Sequence, residues 1–559
     1  MNYDYDICVI GSGAGGAPIA FELSKAGKSV AVLEKGPWFK TEDFTKDELT
    51  CCRRSVYTPN LRDERHVIEE RNNNNEWIGK STYATGRDFW NGNMVGGSSN
   101  LMSGYFHRLK PEDFRLLSEF GTIEGANIVD WPISYDDLEP YYTKVEKIVG
   151  VSGKVVDHPF LEPRSTKEFP FSKTAEHPIA QRIDKACNNL GFNSIPTPRA
   201  ILSQNALGRR ACSYTNYCGS YGCSTDAKGS ARAALLNPAL KTGNCEIIPN
   251  SIVYKLVSDG TGKVVSAKYY DNSGNSKSIT ARIFIVACQA SESARLLLMS
   301  PGPKHQNGLA NNNNQVGKNL IFSGGGSGSG DILYKNYNDT EIAQLKIRGL
   351  FVNRSLQDWY VIEDKSFGKR SKGGTIDFLF RHANPIAKAN SQKWGKDGLV
   401  WGQPLKNKIK SYFTEGRHIR FEVFNDWLPT DNCFVTLDPN VKDKWGNPVA
   451  RMRVGNHQQD LKVGRHLAKK AVSVLKEMGA ENISSNISSS PPPNLVAGGC
   501  RFGDDPKTSV LDADCRVHDV ENLYVTDAGF MPTGGSVPYT WTIYANSFRV
   551  ADKLKERLS

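Results

Sequence analysis

The sequence predicts an α/β fold whose central parallel sheet is assembled from segments far apart in the chain. The first observation is an N-terminal βαβ pattern: an apolar strand over 5–10, a helical stretch that runs to Ala26, and a second strand over 28–34. The second observation is a pair of further apolar strands, over 282–287 and 522–526, each followed by a helical pattern. Because these strands come from distant parts of the chain, we expect one sheet built from separate segments.

Composition places the chain among large folded proteins. At 559 residues, two or three domains are expected at roughly 100–200 residues each. Hydrophobic residues make up 39%, which is enough for large cores and excludes a disordered chain. The net charge of +11 would suit acidic substrates, anionic membranes or nucleic acid. Because no run of about five or more basic residues and no zinc-finger or RNP motif occurs, we expect a mildly basic solvated surface and no nucleic-acid partner.

The chain shows no targeting or membrane-spanning pattern. No stretch approaches the roughly 18 consecutive apolar residues of a transmembrane helix. The N-terminus enters an apolar strand at residue 5, which leaves no room for a signal peptide. We therefore expect a cytoplasmic location, or the periplasmic face of a membrane if a partner subunit carries the chain there.

Three glycines after the first strand form a dinucleotide-binding signature. Gly11 permits a tight turn, Gly13 lets the backbone approach a pyrophosphate, and Gly16 lets helix and strand pack closely. The pyrophosphate would lie on the free N–H groups of the helix N-terminus. Glu34, at the end of the second strand, can accept a hydrogen bond from a ribose 2′-hydroxyl. The alternative is an ordinary glycine-rich loop, and the signature does not separate NAD from FAD.

A second glycine-rich stretch can bring backbone N–H groups and hydroxyls close to a ligand. It consists of Gly96, Gly97, Ser98, Ser99 and Asn100. Taken alone, the stretch is equally typical of a surface turn.

Six segments, in order along nearly the whole chain, carry a family resemblance. They are the N-terminal βαβ unit, Met94-Val-Gly-Gly-Ser-Ser99, the stretch 131–142, Val316-Gly-Lys-Asn-Leu320, the stretch 498–510 and the stretch 522–552. In these segments the chain resembles the glucose–methanol–choline (GMC) oxidoreductase family. Within that family it is most similar to the flavoprotein subunits of bacterial gluconate, glucose and fructose dehydrogenases.

The resemblance implies FAD and a two-domain architecture. The FAD is expected to be dissociable, because no histidine occurs in 96–100 to form the covalent link of some relatives. The implied fold is a split Rossmann-like FAD-binding domain with an α+β substrate domain built on a mostly antiparallel sheet. We expect the FAD-binding domain in 1–110, 210–325 and 490–559, cap and substrate-domain elements in 111–209, and the substrate domain in 326–489.

The C-terminal segment also suits a flavin. Asp527 follows the last predicted strand and is expected to contact the cofactor. A helix that begins near Tyr539 would direct its positive end at the pyrimidine edge of the flavin and stabilise the anionic reduced form. The alternative is a helix that only docks the C-terminus.

Three cysteines form a candidate metal site. Cys212, Cys218 and Cys223 lie within twelve residues on a loop rich in Gly, Ser and Asn, and such thiolates can converge on one soft metal centre. The resemblance implies an iron–sulfur cluster here, of the [3Fe-4S] type, although the second gap is one residue longer than the family pattern. Reduced structural thiols are the alternative.

The usual proton-transfer residues of the family are missing. The resemblance places them at Leu495 and Pro538, and neither side chain can move a proton. The nearest replacements are Asn494 and Tyr539, of which Tyr539 can equally be a packing residue beside the flavin. A histidine of the substrate domain is the remaining candidate. The sequence does not show which one; His382, His418, His457 and His466 are among the ten.

These features predict an FAD-dependent dehydrogenase acting on an alcohol group of a sugar, sugar acid or polyol. The hydride would go to flavin N5, and electrons would leave through the cluster to a small subunit, a cytochrome or both. Two alternatives stay open because the proton-transfer pair is missing. One is a flavoprotein of this fold with lyase or reductase chemistry, and the other is an electron-transfer subunit without catalysis.

Overall fold

The structure is a computed structural model that describes residues 3–52, 62–72, 74–87, 89, 91–368, 370–489 and 495–558. Within these residues thirteen α-helices are present. They are α1 (Ala17–Lys25), α2 (Thr82–Thr85), α3 (Pro111–Phe114), α4 (Leu116–Phe120), α5 (Tyr135–Val145), α6 (Ile179–Leu190), α7 (Asn237–Leu240), α8 (Ala290–Leu298), α9 (Asp339–Lys346), α10 (Pro385–Ser391), α11 (Gly402–Thr414), α12 (Gln458–Glu477) and α13 (Thr540–Leu558).

The described residues also form twenty-six strands, several of only two residues. They are β1 (Tyr5–Ile10), β2 (Val30–Leu33), β3 (Val67–Arg71), β4 (Trp77–Ser81), β5 (Ser152–Gly153), β6 (Phe171–Ser172), β7 (Ser194–Pro196), β8 (Cys245–Ile248), β9 (Ile252–Ser258), β10 (Val264–Tyr270), β11 (Ser276–Ile279), β12 (Ala281–Val286), β13 (Leu320–Ile321), β14 (Gly326–Leu333), β15 (Arg354–Leu356), β16 (Val361–Ile362), β17 (Ser371–Lys372), β18 (Gly374–Leu379), β19 (Trp394–Gly395), β20 (Gly398–Leu399), β21 (Gly416–Asn425), β22 (Cys433–Lys442), β23 (Pro448–Val454), β24 (Glu481–Ile487), β25 (Ala497–Gly498) and β26 (Leu523–Val525).

A five-stranded parallel sheet forms the first layer, in the order β26-β12-β1-β2-β8. Its central strands are runs of Val, Ile and Ala that are buried on both faces, as parallel strands between helices must be. Each strand pairs in parallel with its neighbours, although β8, β12 and β26 lie hundreds of residues after β1 and β2 in the chain. The predicted α/β class with a split sheet is confirmed.

A six-stranded antiparallel sheet forms the second large layer, in the order β24-β14-β21-β18-β15-β7. Residues at alternate positions of β21, such as Phe421 and Val423, are buried with Leu467 of α12 in a second hydrophobic core. The opposite face of β21 carries polar residues. This sheet confirms the mostly antiparallel substrate layer that the resemblance implies.

Smaller sheets connect the two layers. The hairpin β3–β4 continues β22–β23 through a parallel pairing between β3 and β23. Residues 67–81 therefore pack with a segment assigned to the substrate domain, and the domain boundaries drawn from the sequence stay a prediction. In the described part of the chain, no helix combines the length and apolar character needed to cross a bilayer.

Candidate active site

One large cavity, of about 1170 Å³, lies between the parallel sheet and the six-stranded sheet. Its lining includes the residues at the carboxyl ends of β1, β2 and β12, which is where open α/β sheets bind ligands. Cavities for drug-sized ligands measure roughly 300–1,000 Å³. The volume is therefore sufficient for a dinucleotide together with a second reactant.

The first glycine loop presents an open backbone to this cavity. Gly11 has φ +98°, and a Cβ there would lie 2.2 Å from the Ala287 carbonyl oxygen. A Cβ at Gly16 would lie 2.0 Å from the Gly11 oxygen, so this glycine permits close packing of strand and helix. Gly13 lines the cavity, and nothing lies within 4 Å of the position of its Cβ. A ligand can therefore approach the backbone at Gly13.

The carboxylate of Glu34 is buried at the cavity wall and is held by backbone donors. Oε2 accepts hydrogen bonds from the Ser12 N–H at 3.0 Å and from the Ser12 hydroxyl, and Oε1 accepts one from the Gly36 N–H at 2.8 Å. A carboxylate offers about four acceptor sites, so one remains for a ligand hydroxyl. Burial raises the pKa of Glu34, although these hydrogen bonds oppose the shift.

The second glycine-rich stretch lies directly against the first. Gly97, Ser98 and Ser99 line the cavity, and a Cβ at Gly97 would lie 3.2 Å from Gly13 Cα. Gly96 and Asn100 lie behind this surface. The Asn100 amide donates to the Val95 carbonyl at 2.9 Å, so it stabilises the turn.

Two features from the C-terminal segment complete this end of the cavity. Asp527 lines it, accepts a hydrogen bond from the Gly529 N–H at 2.7 Å, and has a pKa raised to about 6 by burial. Helix α13 begins at Thr540, which also lines the cavity and places the positive helix end there. Together with the open backbone at Gly13 and the remaining acceptor site on Glu34, these features fit an FAD molecule.

Tyr539 and Leu495 both line the cavity, but the structure does not support Tyr539 as a base. Its hydroxyl donates to the Leu495 carbonyl, and burial raises its pKa well above 10, so the phenolate is disfavoured. The structure favours the packing role. Pro538 lines the same wall. The other candidate, Asn494, lies outside the described residues.

The opposite wall, formed by β18 and β21, presents ionisable groups that the sequence did not single out. Arg420 and Glu422 occupy alternate positions of β21 and line the cavity, and Arg420 Nη2 lies 3.3 Å from Glu422 Oε1. Burial raises the pKa of Glu422, and the nearby Asp377 adds to that shift while Arg420 opposes it. A carboxylate with a raised pKa in a cavity is a typical proton acceptor.

His382 is the one histidine of the described chain that lines this cavity. Its Nε2 lies 3.0 Å from the Ser103 hydroxyl, and the Gly219 N–H approaches Nδ1 at 3.4 Å. Burial lowers the pKa of His382 to about 3, with added repulsion from Lys228 and other cations. The ring is therefore a neutral hydrogen-bonding group and a weak proton acceptor.

The other three candidate histidines have local roles. His418 Nδ1 pairs with Asp331, His457 caps the N-terminus of α12, and His466 packs edge-on against Phe367. Sequence alone could not make this distinction.

The three loop cysteines are close to one another and partly buried, beside the buried ammonium of Lys228. Burial, with the neighbouring thiols, raises the pKa of Cys212 to about 12. Burial opposes ionisation of Cys223 as well, but the charge of Lys228 together with hydrogen bonds from Thr225 and the backbone lowers that pKa. Across the described residues, no three His, Cys, Asp or Glu side chains converge closely enough to hold a metal ion. The predicted cluster at Cys212, Cys218 and Cys223 therefore stays a prediction.

The split parallel sheet and its glycine loop are typical of a dinucleotide-binding protein, and the antiparallel sheet forms the facing wall of the same cavity. Residues 79–322 and 429–547 match the models of the N-terminal and C-terminal parts of the GMC oxidoreductases. The chain belongs to the GMC oxidoreductase family. It is an FAD-dependent oxidoreductase that acts on alcohol groups.

Similar proteins cover the whole chain. The 2-methyl-1,2-propanediol dehydrogenase of Mycolicibacterium austroafricanum is 29% identical over 573 residues, covering 99% of this chain and 96% of its own. The fructose dehydrogenase large subunit of Gluconobacter japonicus is 26% identical, covering 98% and 97%. Among solved structures, a formate oxidase of Aspergillus oryzae aligns with a TM-score of 0.63 at 16% identity, covering 99% and 98%, and supports the fold alone.

Proposed function

We propose that the protein oxidises an alcohol group of a sugar, sugar acid or polyol. The lining of the cavity supports this proposal most directly, because its dinucleotide side faces a wall that contains Glu422, Arg420 and His382. Relatives that align over nearly the full length are named for a diol, fructose and gluconate, which supports a polyhydroxylated substrate.

Gly13, Glu34 and the start of α13 would hold the FAD. The open backbone at Gly13 suits the pyrophosphate, and the remaining acceptor site of Glu34 suits a ribose hydroxyl. FAD, when bound, supplies the acceptor for the hydride that leaves the substrate carbon.

Glu422 is the proposed proton acceptor. It would take the hydroxyl proton on its carboxylate as the carbon–hydrogen bond breaks, so that the substrate leaves as a carbonyl compound. Its raised pKa makes it a stronger base than an ordinary glutamate. Arg420, at 3.3 Å, keeps the carboxylate ionised before the proton arrives.

His382 and Ser103 would orient the substrate. The neutral imidazole and the hydroxyl lie 3.0 Å apart and both line the cavity, so they can exchange hydrogen bonds with sugar hydroxyls. His382 would not have to gain or lose a proton to orient the substrate, because its pKa lies far below neutrality.

The experiment is anaerobic mixing of the FAD-loaded protein with a panel of polyols, sugars and sugar acids. Loss of the oxidised flavin absorbance with at least one of them supports the proposal. A flavin that stays oxidised with all of them while dithionite reduces it contradicts the proposal.

We propose separately that Cys212, Cys218 and Cys223 carry an iron–sulfur cluster that passes electrons to a partner. The three thiols interact electrostatically and the cation of Lys228 favours the Cys223 thiolate, which supports this proposal. In the described structure the side chains do not converge, so a bound cluster would have to draw them together. The fructose dehydrogenase relative is named as a large subunit, which supports a partner subunit.

A further inference from the structure

A second, smaller pocket adjoins the active-site cavity and is lined by cations. Its volume is about 60 Å³. We call it the cationic pocket, because its lining includes Arg348, Arg381, Lys388 and Arg417. Two of them, Arg381 and Lys388, line the large cavity as well, so the two spaces share a wall.

The buried side chain of Arg417 is the strongest indication that this pocket binds a ligand. Its side chain lies on β21, the residue is only 5% exposed, and its Nε has no hydrogen-bond partner in the described structure. Its guanidinium lies over the Phe380 ring at 4.0 Å, and this contact does not neutralise its charge. Buried charges in proteins are ordinarily paired, because an unpaired buried charge is strongly destabilising.

The nearest carboxylates are already engaged. Asp331 pairs with His418 and accepts a hydrogen bond from the Asn482 amide at 3.0 Å. Glu48 accepts hydrogen bonds from the Ile386 and Ala387 N–H groups at 2.7 and 2.8 Å. Within the described ranges, none of the four cations of the pocket forms an ion pair with a carboxylate.

The electrostatics agree with this geometry. Burial and the neighbouring Arg348 lower the pKa of Arg417 to about 10. Burial, with Arg381 and two further arginines, lowers the pKa of Lys388 to about 8, and Glu48 opposes the shift only weakly. Mutual repulsion of this kind is relieved when an anion enters.

We propose that the cationic pocket binds an oxyanion, a carboxylate or a phosphate group. Guanidinium groups recognise such groups through paired N–H donors, and the pocket is of the size of one such group. Because Arg381 and Lys388 line both this pocket and the active-site cavity, the oxyanion is the acidic end of the substrate. This last step rests on the proposed function and selects acidic polyols, such as sugar acids or sugar phosphates, over neutral ones.

Binding is tested first with inorganic phosphate and the FAD-loaded protein. Calorimetry should show binding to the wild type, and Arg417→Met should weaken it by about tenfold or more. Arg465→Met, an exposed arginine of α12, is the matched control and should bind as the wild type does. Arg348→Gln, a surface change in the same pocket, should also weaken binding and serves if Arg417→Met does not fold.

Thermal unfolding is a second measurement, in which the direction of the change in unfolding temperature is informative. Without phosphate, Arg417→Met should unfold at a higher temperature than the wild type, since it removes an unpaired buried charge. Phosphate should raise the unfolding temperature of the wild type and of Arg465→Met, and have little effect on that of Arg417→Met. Absence of phosphate binding to the wild type, or equal binding to the wild type and both pocket variants, would overturn the proposal.

Steady-state kinetics with an acidic and a neutral substrate show whether the bound anion belongs to the substrate or is free phosphate. The ratio of kcat/KM for gluconate to that for glucose should exceed one and fall by about tenfold in Arg348→Gln. An unchanged ratio with intact phosphate binding assigns the pocket to free phosphate and overturns the substrate step. Failure of every polyol to reduce the flavin overturns the proposed function. Phosphate binding does not depend on that reaction, so it tests the pocket in either case.

Discussion

The carboxylate of Glu34 accepts hydrogen bonds from both the N–H and the hydroxyl of Ser12, and so joins the end of β2 to the turn after β1. The Ser12 hydroxyl also accepts from the Gly96 N–H at 2.9 Å. The two glycine-rich stretches are thereby joined at one point beside the cavity. Because Glu34 keeps one acceptor site, this junction is the proposed anchor for the FAD ribose.

Glu34→Arg should weaken FAD binding by roughly 10- to 100-fold, since hydrogen bonds to charged groups contribute about 1.5–3 kcal/mol. The substitution also places a cation where the ribose needs an acceptor. Titration of the apoprotein with FAD, followed by flavin fluorescence, measures the change. Glu76→Arg, at an exposed position, should bind FAD as the wild type does. Equal affinity in both variants would contradict the role of Glu34.

Glu422→Gln should slow flavin reduction by roughly 10²- to 10⁴-fold without releasing FAD, because the amide cannot take a proton. Stopped-flow absorbance under anaerobic conditions measures the rate. Glu415→Gln, at the exposed start of the same strand region, is the control and should react normally.

The pH profile gives Glu422 a second test. A base works when deprotonated, so the reduction rate should fall as the pH falls through its raised pKa, above the ordinary glutamate value of about 4.3. His382 should add no such step near neutrality, since its pKa is lowered to about 3. A profile that keeps the same acid limb in Glu422→Gln would assign the proton to another group.

Tyr539→Phe should leave the rate of flavin reduction within a few-fold of the wild type. The hydroxyl is bonded to the Leu495 carbonyl and its raised pKa prevents it from acting as a base. Loss of that hydrogen bond should lower the free energy of unfolding by about 1 kcal/mol, measurable by denaturant titration. A rate loss of roughly 10²-fold or more would restore Tyr539 as a proton-transfer residue.

Single substitutions of Cys212, Cys218 or Cys223 by Ser should remove iron while leaving FAD bound. The three thiols are the proposed ligands, whereas Cys187 is buried elsewhere and Cys187→Ser should retain iron. Iron and acid-labile sulfide analysis of anaerobically prepared protein measures the outcome. Wild-type protein that contains FAD but neither iron nor sulfide would show that the cysteines are structural thiols.

The nucleotide-binding half of the site was predictable because its signals are local. The strand over 5–10, the glycine spacing and Glu34 lie within thirty-five residues, and the structure places β1 and β2 at nearly the predicted bounds. The late strands, over 282–287 and 522–526, also lie within a residue of the prediction, because buried parallel strands are short runs of apolar residues.

The substrate side could not be predicted in the same way. The alternation of apolar and polar residues in β21 indicates a strand with one buried face, and such a polar face ordinarily meets solvent. Here it meets a cavity whose other wall comes from β1, some 400 residues earlier in the chain. Glu422 and His382 gain their role from that long-range pairing, which no local pattern carries.

Oxidation of an alcohol by this protein is measured by anaerobic reduction of the FAD-loaded protein with sugars, sugar acids and polyols, followed by flavin absorbance. We expect rapid loss of the oxidised flavin spectrum with at least one polyhydroxylated alcohol, together with formation of the carbonyl product. We also expect Glu422→Gln, still loaded with FAD, to lose this reaction. Flavin that remains oxidised with every alcohol but is reduced by dithionite would show that the protein does not oxidise these substrates.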